Sequence, residues 1–166
     1  PIIAAVITAM IACLAVGLIN GVLVGKFKLP PFIATLGTMF CAGGVGYMVN
    51  GNRNTDAIAS GIGKEAGEAY QNFFYYGKTA GVYNAFWIAL VLFLVVFFIM
   101  QKTRTGRHIY AIGSNVEAAK LSGVNVFATV TKTYMISALC AFVVGLILCA
   151  QASMGNMEAG LSYEMY

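Results

Sequence analysis

The chain has 166 residues and a formal net charge of +4; 60% of its residues are hydrophobic and only 10% are charged. Because soluble domains carry roughly 25% charged residues, this composition and a mean hydropathy of +0.80 exclude an ordinary soluble domain and indicate a membrane protein. The basic balance does not indicate nucleic-acid binding, since no basic patch is interleaved with aromatic residues as in nucleic-acid-binding surfaces.

The first predicted element is a membrane-spanning helix over residues 2–24, a stretch without a charged side chain. A helix of that length, at about 1.5 Å per residue, reaches about 34 Å and crosses a hydrocarbon core of about 30 Å. Gly17, Gly21 and Gly25 share one helical face and predict close packing against another helix. Asn20 should bond to a neighbouring helix or face a polar path, since an unpaired amide in hydrocarbon costs several kcal/mol.

The second predicted span covers residues 32–49 and follows a rigid turn that contains Pro30 and Pro31. Thr35 and Thr38 lie three residues apart on one face of this helix, and the glycines that follow loosen it. Two interpretations stay open. The threonines line a conduit together with Asn20, or they bond back to carbonyl groups of their own helix at a packing seam.

An outer loop is predicted over residues 50–81, with a short helix from Lys64 to Tyr76. Its aromatic side chains either anchor the loop at the membrane interface or receive an extracytoplasmic partner. Gly77-Lys78-Thr79 resembles the end of a phosphate-binding loop, but such a loop needs glycine where this chain has Asn72, so no ATP site is predicted.

Two further spans, over residues 82–100 and 133–151, complete an all-α membrane bundle of four spanning helices. We interpret residues 1–166 as part of one transmembrane domain, and because the chain opens inside an apolar segment, we expect both ends to be cut from a longer protein. By the positive-inside rule, the side that holds seven of the ten basic residues faces the cytoplasm: Lys26, Lys28, Lys102, Arg104, Arg107, Lys120 and Lys132.

The cytoplasmic connection over residues 101–132 contains the pattern that carries the functional hypothesis. Ser114 and Glu117 form a capping-box pattern that predicts a helix from Ser114 to Ser122, and Gly123 is suited to end it. Ala118, Ala119 and Leu121 should form an apolar face, with Lys120 adding a charge. Because an isolated helix this short is unstable in water, it must dock on its own membrane domain or on a cytoplasmic partner.

Catalysis, metal binding and cofactor binding are not predicted. The four cysteines at 13, 41, 140 and 149 fall within predicted spans without metal-binding spacing, where they act as small packing residues. His108 is the single histidine and has no carboxylate cluster near it in the sequence. No nucleophile and base, metal ligands or paired carboxylates occur at a recognisable spacing.

Four segments resemble the permease subunits of ABC importers for simple sugars of the ribose, galactose and xylose type. They are residues 17–24 (GLINGVLV), 28–39 (KLPPFIATLGTM), 103–115 (TRTGRHIYAIGSN) and 117–124 (EAAKLSGV). The resemblance implies a multi-pass permease of the bacterial inner membrane that imports a monosaccharide. It implies three protein partners: a separate cytoplasmic ATPase, a periplasmic or lipid-anchored sugar-binding protein, and a second permease copy.

In that family, the segment that matches Gly113 to Gly123 is the coupling helix that sits in a groove of the ATPase. The resemblance therefore assigns ATPase coupling to Gly113, Ser114, Asn115, Glu117, Ala118, Ala119, Lys120, Leu121, Ser122 and Gly123. The chain itself is expected not to be an enzyme, because ATP hydrolysis belongs to the partner. The alternatives are a branched-chain amino acid permease and a four-span membrane scaffold without an energy source.

Overall fold

The computed structural model describes residues 2–156 except 52, 59, 60, 62 and 80. The predicted cut at Pro1 and the final segment 157–166 therefore lie outside the described residues. Seven α-helices occur in the described part: α1 (Ile2–Gly25), α2 (Pro31–Val49), α3 (Lys64–Gln71), α4 (Asn84–Lys102), α5 (Arg104–Ser114), α6 (Val116–Leu121) and α7 (Val126–Ala152). A π-helical turn (Asn72–Tyr76) extends α3, and two antiparallel strands, β1 (Lys78–Thr79) and β2 (Val82–Tyr83), precede α4.

Four of these helices, α1, α2, α4 and α7, are long and apolar enough to cross a membrane. The prediction of an all-α membrane bundle with four spanning helices is confirmed, and the only strands among the described residues have two residues each. Many large apolar side chains on these helices are exposed, as expected for surfaces that face lipid or further membrane helices.

The three glycines of α1 pack directly against α7. A Cβ atom built on Gly17 would lie 2.7 Å from the Cβ of Ala138, and one built on Gly21 would lie 2.8 Å from the Cα of Thr131. At the C-terminal end of α1, a Cβ atom on Gly25 would meet the ring of Phe127 at 3.0 Å. The order of these contacts makes α1 and α7 antiparallel, and a side chain larger than hydrogen would force the two backbones apart.

The fourth span differs from its predicted start. The apolar stretch without charge begins at residue 133, but α7 begins at Val126, where the side chain of Asn125 accepts a hydrogen bond from Ala128 N at 3.0 Å. Thr129 and Thr131 in its first turns are buried, and Lys132 is exposed. A lysine near a helix end can extend to the membrane surface, so a charge there does not end the helix.

Helix α5 was not foreseen by the sequence analysis, which treated residues 103–113 as a connection. The hydroxyl oxygen of Thr103 caps this helix by accepting from Gly106 N at 3.3 Å. Gly106 is buried against the carbonyl group of Met100, so that a Cβ atom there would collide with backbone. The absence of a side chain at this position allows α5 to turn back sharply from the end of α4.

The segment between α2 and α4, named the outer segment after its predicted side of the membrane, packs against the C-terminal end of α7. The Tyr70 hydroxyl donates to Leu146 O at 2.9 Å, and the Tyr76 hydroxyl donates to Gln151 O at 3.3 Å. Nearer the chain end, the backbone of Gly155 donates to Thr55 Oγ1 at 2.6 Å. The predicted helix from Lys64 to Tyr76 is confirmed as α3 with its π-helical turn, and its aromatic residues divide between contacts with α7 and exposed positions.

Candidate functional site

Helix α6 is capped differently from the sequence prediction. Ser114 is the last residue of α5, and its hydroxyl donates to Ala111 O at 3.0 Å instead of capping α6. Asn115 is the N-cap, because its Oδ1 accepts from Glu117 N at 2.9 Å and from Ala118 N at 3.1 Å. The predicted helix from Ser114 to Ser122 is therefore wrong at both ends, since α6 spans Val116–Leu121.

The C-terminal end of α6 follows the prediction for Gly123, which adopts φ +81°. Gly123 N donates to Lys120 O at 2.9 Å, and Val124 N donates to Ala119 O at 3.0 Å. This pair of bonds is the Schellman motif, which satisfies carbonyl groups that a helix end otherwise leaves unpaired. Helix α6 is thus fixed at both ends by local hydrogen bonds.

The side chains of α6 divide into an inward and an outward face. Ala119 is 4% exposed and packs inward, whereas Leu121 is 91% exposed and Ala118 is also exposed. The predicted common apolar face of Ala118, Ala119 and Leu121 is therefore wrong, because a one-turn helix places Ala119 on the opposite side from Leu121. Leu121 is instead an isolated apolar side chain on the outer surface.

Glu117 and Lys120 form an ion pair on the exposed side of α6, at 2.9 Å. The hydrogen bond and the charge of Lys120 hold the pKa of Glu117 below its ordinary value, and Lys28 adds a smaller effect in the same direction. The glutamate therefore does not reach back to the helix cap as the capping-box pattern predicted. The influence of Lys28 also indicates that the turn between α1 and α2 lies on the same side of the molecule as α6.

The residues predicted for a translocation path lie together between α1 and α2. The Thr38 hydroxyl donates to Asn20 Oδ1 at 2.8 Å and lies 3.0 Å from Thr35 O. Thr35 bonds back to Pro31 O at 2.9 Å. Asn20 therefore forms a bond between helices, and both threonines contact carbonyl groups of their own helix, as the packing-seam interpretation predicts. A conduit lined by these residues stays a prediction.

A cleft of about 490 Å³ lies beside this polar group and is lined by residues of α1, α2 and α7. Asn20 and Thr35 line the cleft, together with Cys13, Gly17, Tyr134 and Ser137. Tyr134 and Ser137 were not among the residues predicted from the sequence. They lie three residues apart on α7, on the same face as Ala138 and Ala141. This spacing predicts a shared lining only when it is known that α7 packs on the glycines of α1.

Groups that could hold a metal ion do not occur in the described part of the chain, where no three His, Cys, Asp or Glu side chains cluster. His108 is exposed on α5.

Comparison with known proteins identifies related chains. The family described as "Branched-chain amino acid transport system / permease component" matches residues 1–166. The ribose import permease protein RbsC of Escherichia coli K12 is 34% identical over 161 residues, which cover 97% of this chain and 49% of the relative. The galactose/methyl galactoside import permease protein MglC of Haemophilus influenzae is 34% identical over 150 residues, covering 90% and 44% respectively.

A third relative, the L-arabinose transport system permease protein AraH of Escherichia coli K12, is 31% identical over 149 residues, with 89% of this chain and 42% of the relative covered. The chain spans about half the length of the curated relatives it matches. No solved structure matches it. The resemblance to permeases of simple-sugar importers is confirmed by these relatives, and the match over all 166 residues shows that this multi-pass membrane chain belongs to the branched-chain amino acid transport system permease family.

Proposed function

We propose that the chain is part of the transmembrane domain of a permease subunit of an ATP-driven ABC importer that moves a monosaccharide into the cytoplasm. The observation that carries this proposal is the exposed, doubly capped helix α6. A helix of six residues is too short to persist in water without support, and here local caps hold it while Leu121 stays 91% exposed. An ordered helix with a bare apolar side chain suits insertion into a groove of a partner ATPase.

The coupling site consists of α6 and the residues that fix its ends, from Gly113 to Gly123. Force applied there passes to α7 through a short junction, because only residues 122–125 separate the two helices and Asn125 caps the second one. Helix α7 in turn carries α1, since the glycine contacts leave no space between them. ATP-driven closure of the ATPase would thus tilt α1 and α7 as a pair.

The cargo is proposed from the relatives, whose names specify ribose, galactose or methyl galactoside, and L-arabinose. The sugar would pass Asn20, Thr35 and Thr38, the polar group between α1 and α2. A branched-chain amino acid is the second candidate, because the description of the matching family names that cargo. Uptake of radiolabelled D-ribose, D-galactose, L-arabinose and L-leucine into vesicles decides between them.

The further partners belong to the same proposal. A periplasmic or lipid-anchored binding protein would deliver the sugar to the outer segment, where Phe73 is 66% exposed and Tyr83 is 48% exposed. A second permease copy would supply a homodimer in the bacterial inner membrane. The basic connections support this orientation, since the turn after α1 and the start of α7 meet at one end of the bundle where Gly25 contacts Phe127.

The test of the coupling site uses Leu121→Asp in the full-length permease, reconstituted with its ATPase. Burying an unpaired carboxylate in an apolar groove costs several kcal/mol, and each 1.4 kcal/mol is a tenfold change in binding. We expect ATPase copurification and sugar uptake to fall at least tenfold. Glu117→Lys should weaken both less, because it breaks a surface ion pair with Lys120 and places no charge in the apolar contact of Leu121.

The control is Leu121→Met, which keeps an apolar side chain of similar size and should retain both activities. Normal uptake by the aspartate variant would refute the coupling role. ATP-independent uptake, or no association with an ATPase in the parent protein, would instead favour a membrane scaffold.

A further inference from the structure

We propose that the cleft between α1, α2 and α7 is a hydrated sugar-binding site in which Ser137 and Tyr134 of α7 act together with Asn20 of α1. The inference rests on the proposed function and adds α7 to the polar wall. The volume of about 490 Å³ lies within the range of roughly 300–1,000 Å³ that small-molecule sites occupy.

Unpaired polar groups are the first argument. Among the described residues, no hydrogen-bond partner is present for the Asn20 side-chain amide nitrogen, for the Ser137 hydroxyl or for the Tyr134 hydroxyl. A helical serine commonly bonds back to a carbonyl group of its own helix, as Thr129 and Thr133 do on α7. Ser137 is exposed to the cleft instead. In a bilayer these groups need polar partners, since each unsatisfied one costs several kcal/mol.

The position of the cleft is the second argument. The close contact of Gly17 with Ala138 and Tyr134 O forms its floor and holds α1 and α7 at a fixed distance. Asn20 lies one turn nearer the cytoplasm on α1, and its carbonyl oxygen is fixed by Thr38 of α2. The amide nitrogen is therefore the free end of an oriented side chain. Three helices contribute polar groups to one space in the central and cytoplasmic part of the membrane.

The chemistry of a monosaccharide fits this wall. Each sugar hydroxyl can donate and accept, which suits the serine and tyrosine hydroxyls and the amide donors of Asn20. The remaining lining is apolar and includes Cys13 and Gly17, which the C–H faces of a sugar ring can contact. A wall with few polar groups holds a polyhydroxylated cargo only loosely, and loose binding is what passage requires.

The experiment is thiol labelling in the full-length permease, assembled with its ATPase in inside-out vesicles. The four native cysteines are first replaced by alanine, because Cys13 itself lines the cleft. Ser137→Cys is then compared with Leu139→Cys, a matched position on α7 that is 41% exposed but does not line the cleft. The reagent is a positively charged, water-soluble methanethiosulfonate.

We expect Ser137→Cys to react at least tenfold faster than Leu139→Cys. A saturating concentration of the sugar that the parent takes up, D-ribose, D-galactose or L-arabinose, should slow the reaction of Ser137→Cys several-fold. Equal slow labelling of both variants would overturn the proposal, since another helix or an acyl chain would then fill the cleft. Fast labelling that no sugar slows would overturn it as a sugar site. Uptake by the cysteine-free parent is measured separately, so failure of the proposed function is distinguished from failure of this site.

Discussion

The contact between Gly21 and α7 provides the sharpest prediction about the fold. In Gly21→Ala the new Cβ would lie 2.8 Å from the Cα of Thr131 and 3.0 Å from its Cγ2. Carbon atoms prefer separations of about 3.5–4.0 Å, so α1 and α7 must separate by roughly 0.7–1.2 Å or distort. Overpacking of this kind costs about 1–3 kcal/mol.

The matched control is Gly37→Ala on α2, where no atom lies within 4 Å of the added Cβ. Both substitutions replace a helical glycine with alanine and share the same propensity gain of about 1 kcal/mol, which cancels in the comparison. The difference between the two variants is therefore the overpacking cost of about 1–3 kcal/mol, or roughly a 5- to 150-fold difference in unfolding constant.

The assay is reversible unfolding of the full-length protein in detergent micelles, followed by circular dichroism. We expect Gly21→Ala to unfold at clearly lower denaturant than Gly37→Ala, with Gly17→Ala close to Gly21→Ala because its Cβ would lie 2.7 Å from that of Ala138. Equal stability of the Gly21 and Gly37 variants would refute the tight packing of α1 on α7.

Three further predictions concern the connections. Asn115→Ala should lower the free energy of unfolding by about 1 kcal/mol and speed amide hydrogen exchange in α6, because it removes the N-cap. Ser114→Ala should change neither quantity, because the Ser114 hydroxyl bonds to Ala111 instead. The reverse result would support the capping box of Ser114 and Glu117. Burial raises the pKa of Tyr70 to about 12, and Cys149 makes a smaller contribution in the same direction. The protonated phenol therefore stabilises the folded state below its ordinary pKa near 10, and this stabilisation is lost as the pH rises towards 12. Absorbance titration should show one late-titrating tyrosine that Tyr70→Phe removes, and an unchanged titration curve would contradict the bond to Leu146. Gly106→Ala should destabilise the protein by about 1–3 kcal/mol in thermal unfolding, because its Cβ would meet the Met100 carbonyl group. Gly113→Ala, also in α5 but with open space around its Cβ, should not destabilise the protein and should gain up to about 1 kcal/mol from helix propensity. Equal effects would contradict the sharp turn into α5.

The sequence predicted the membrane helices because their signal is strong: long apolar stretches have few alternatives in a bilayer. The packing role of the glycine face of α1 was equally predictable, since small residues at intervals of four favour close helix contacts. The helix that packs on that face was not predictable. Nothing in the spacing of Gly17, Gly21 and Gly25 specifies α7, because antiparallel register depends on the whole set of side chains along both helices.

The connection between α4 and α7 was predicted less well because two capping signals compete there. Ser114 and Asn115 are both favourable caps, and the pattern with Glu117 favours the serine. The structure selects Asn115 because α5 extends through Ser114, and α5 itself was overlooked in a polar sequence with several basic residues. The cleft could not be predicted, because Ser137 and Tyr134 meet Asn20 only after α1 and α7 have packed.

The attachment of the outer segment to α7 has a consequence for motion across the membrane. Two tyrosine hydroxyls tie that segment to Leu146 and Gln151 in the last turns of a helix of 27 residues, which is about 40 Å long. Thr55 adds a bond to Gly155 just beyond the end of that helix. A rigid rod of this length that pivots by a few degrees displaces its far end by several ångströms. The segment between α2 and α4 would then move whenever the opposite end of α7, which contacts α6, is displaced.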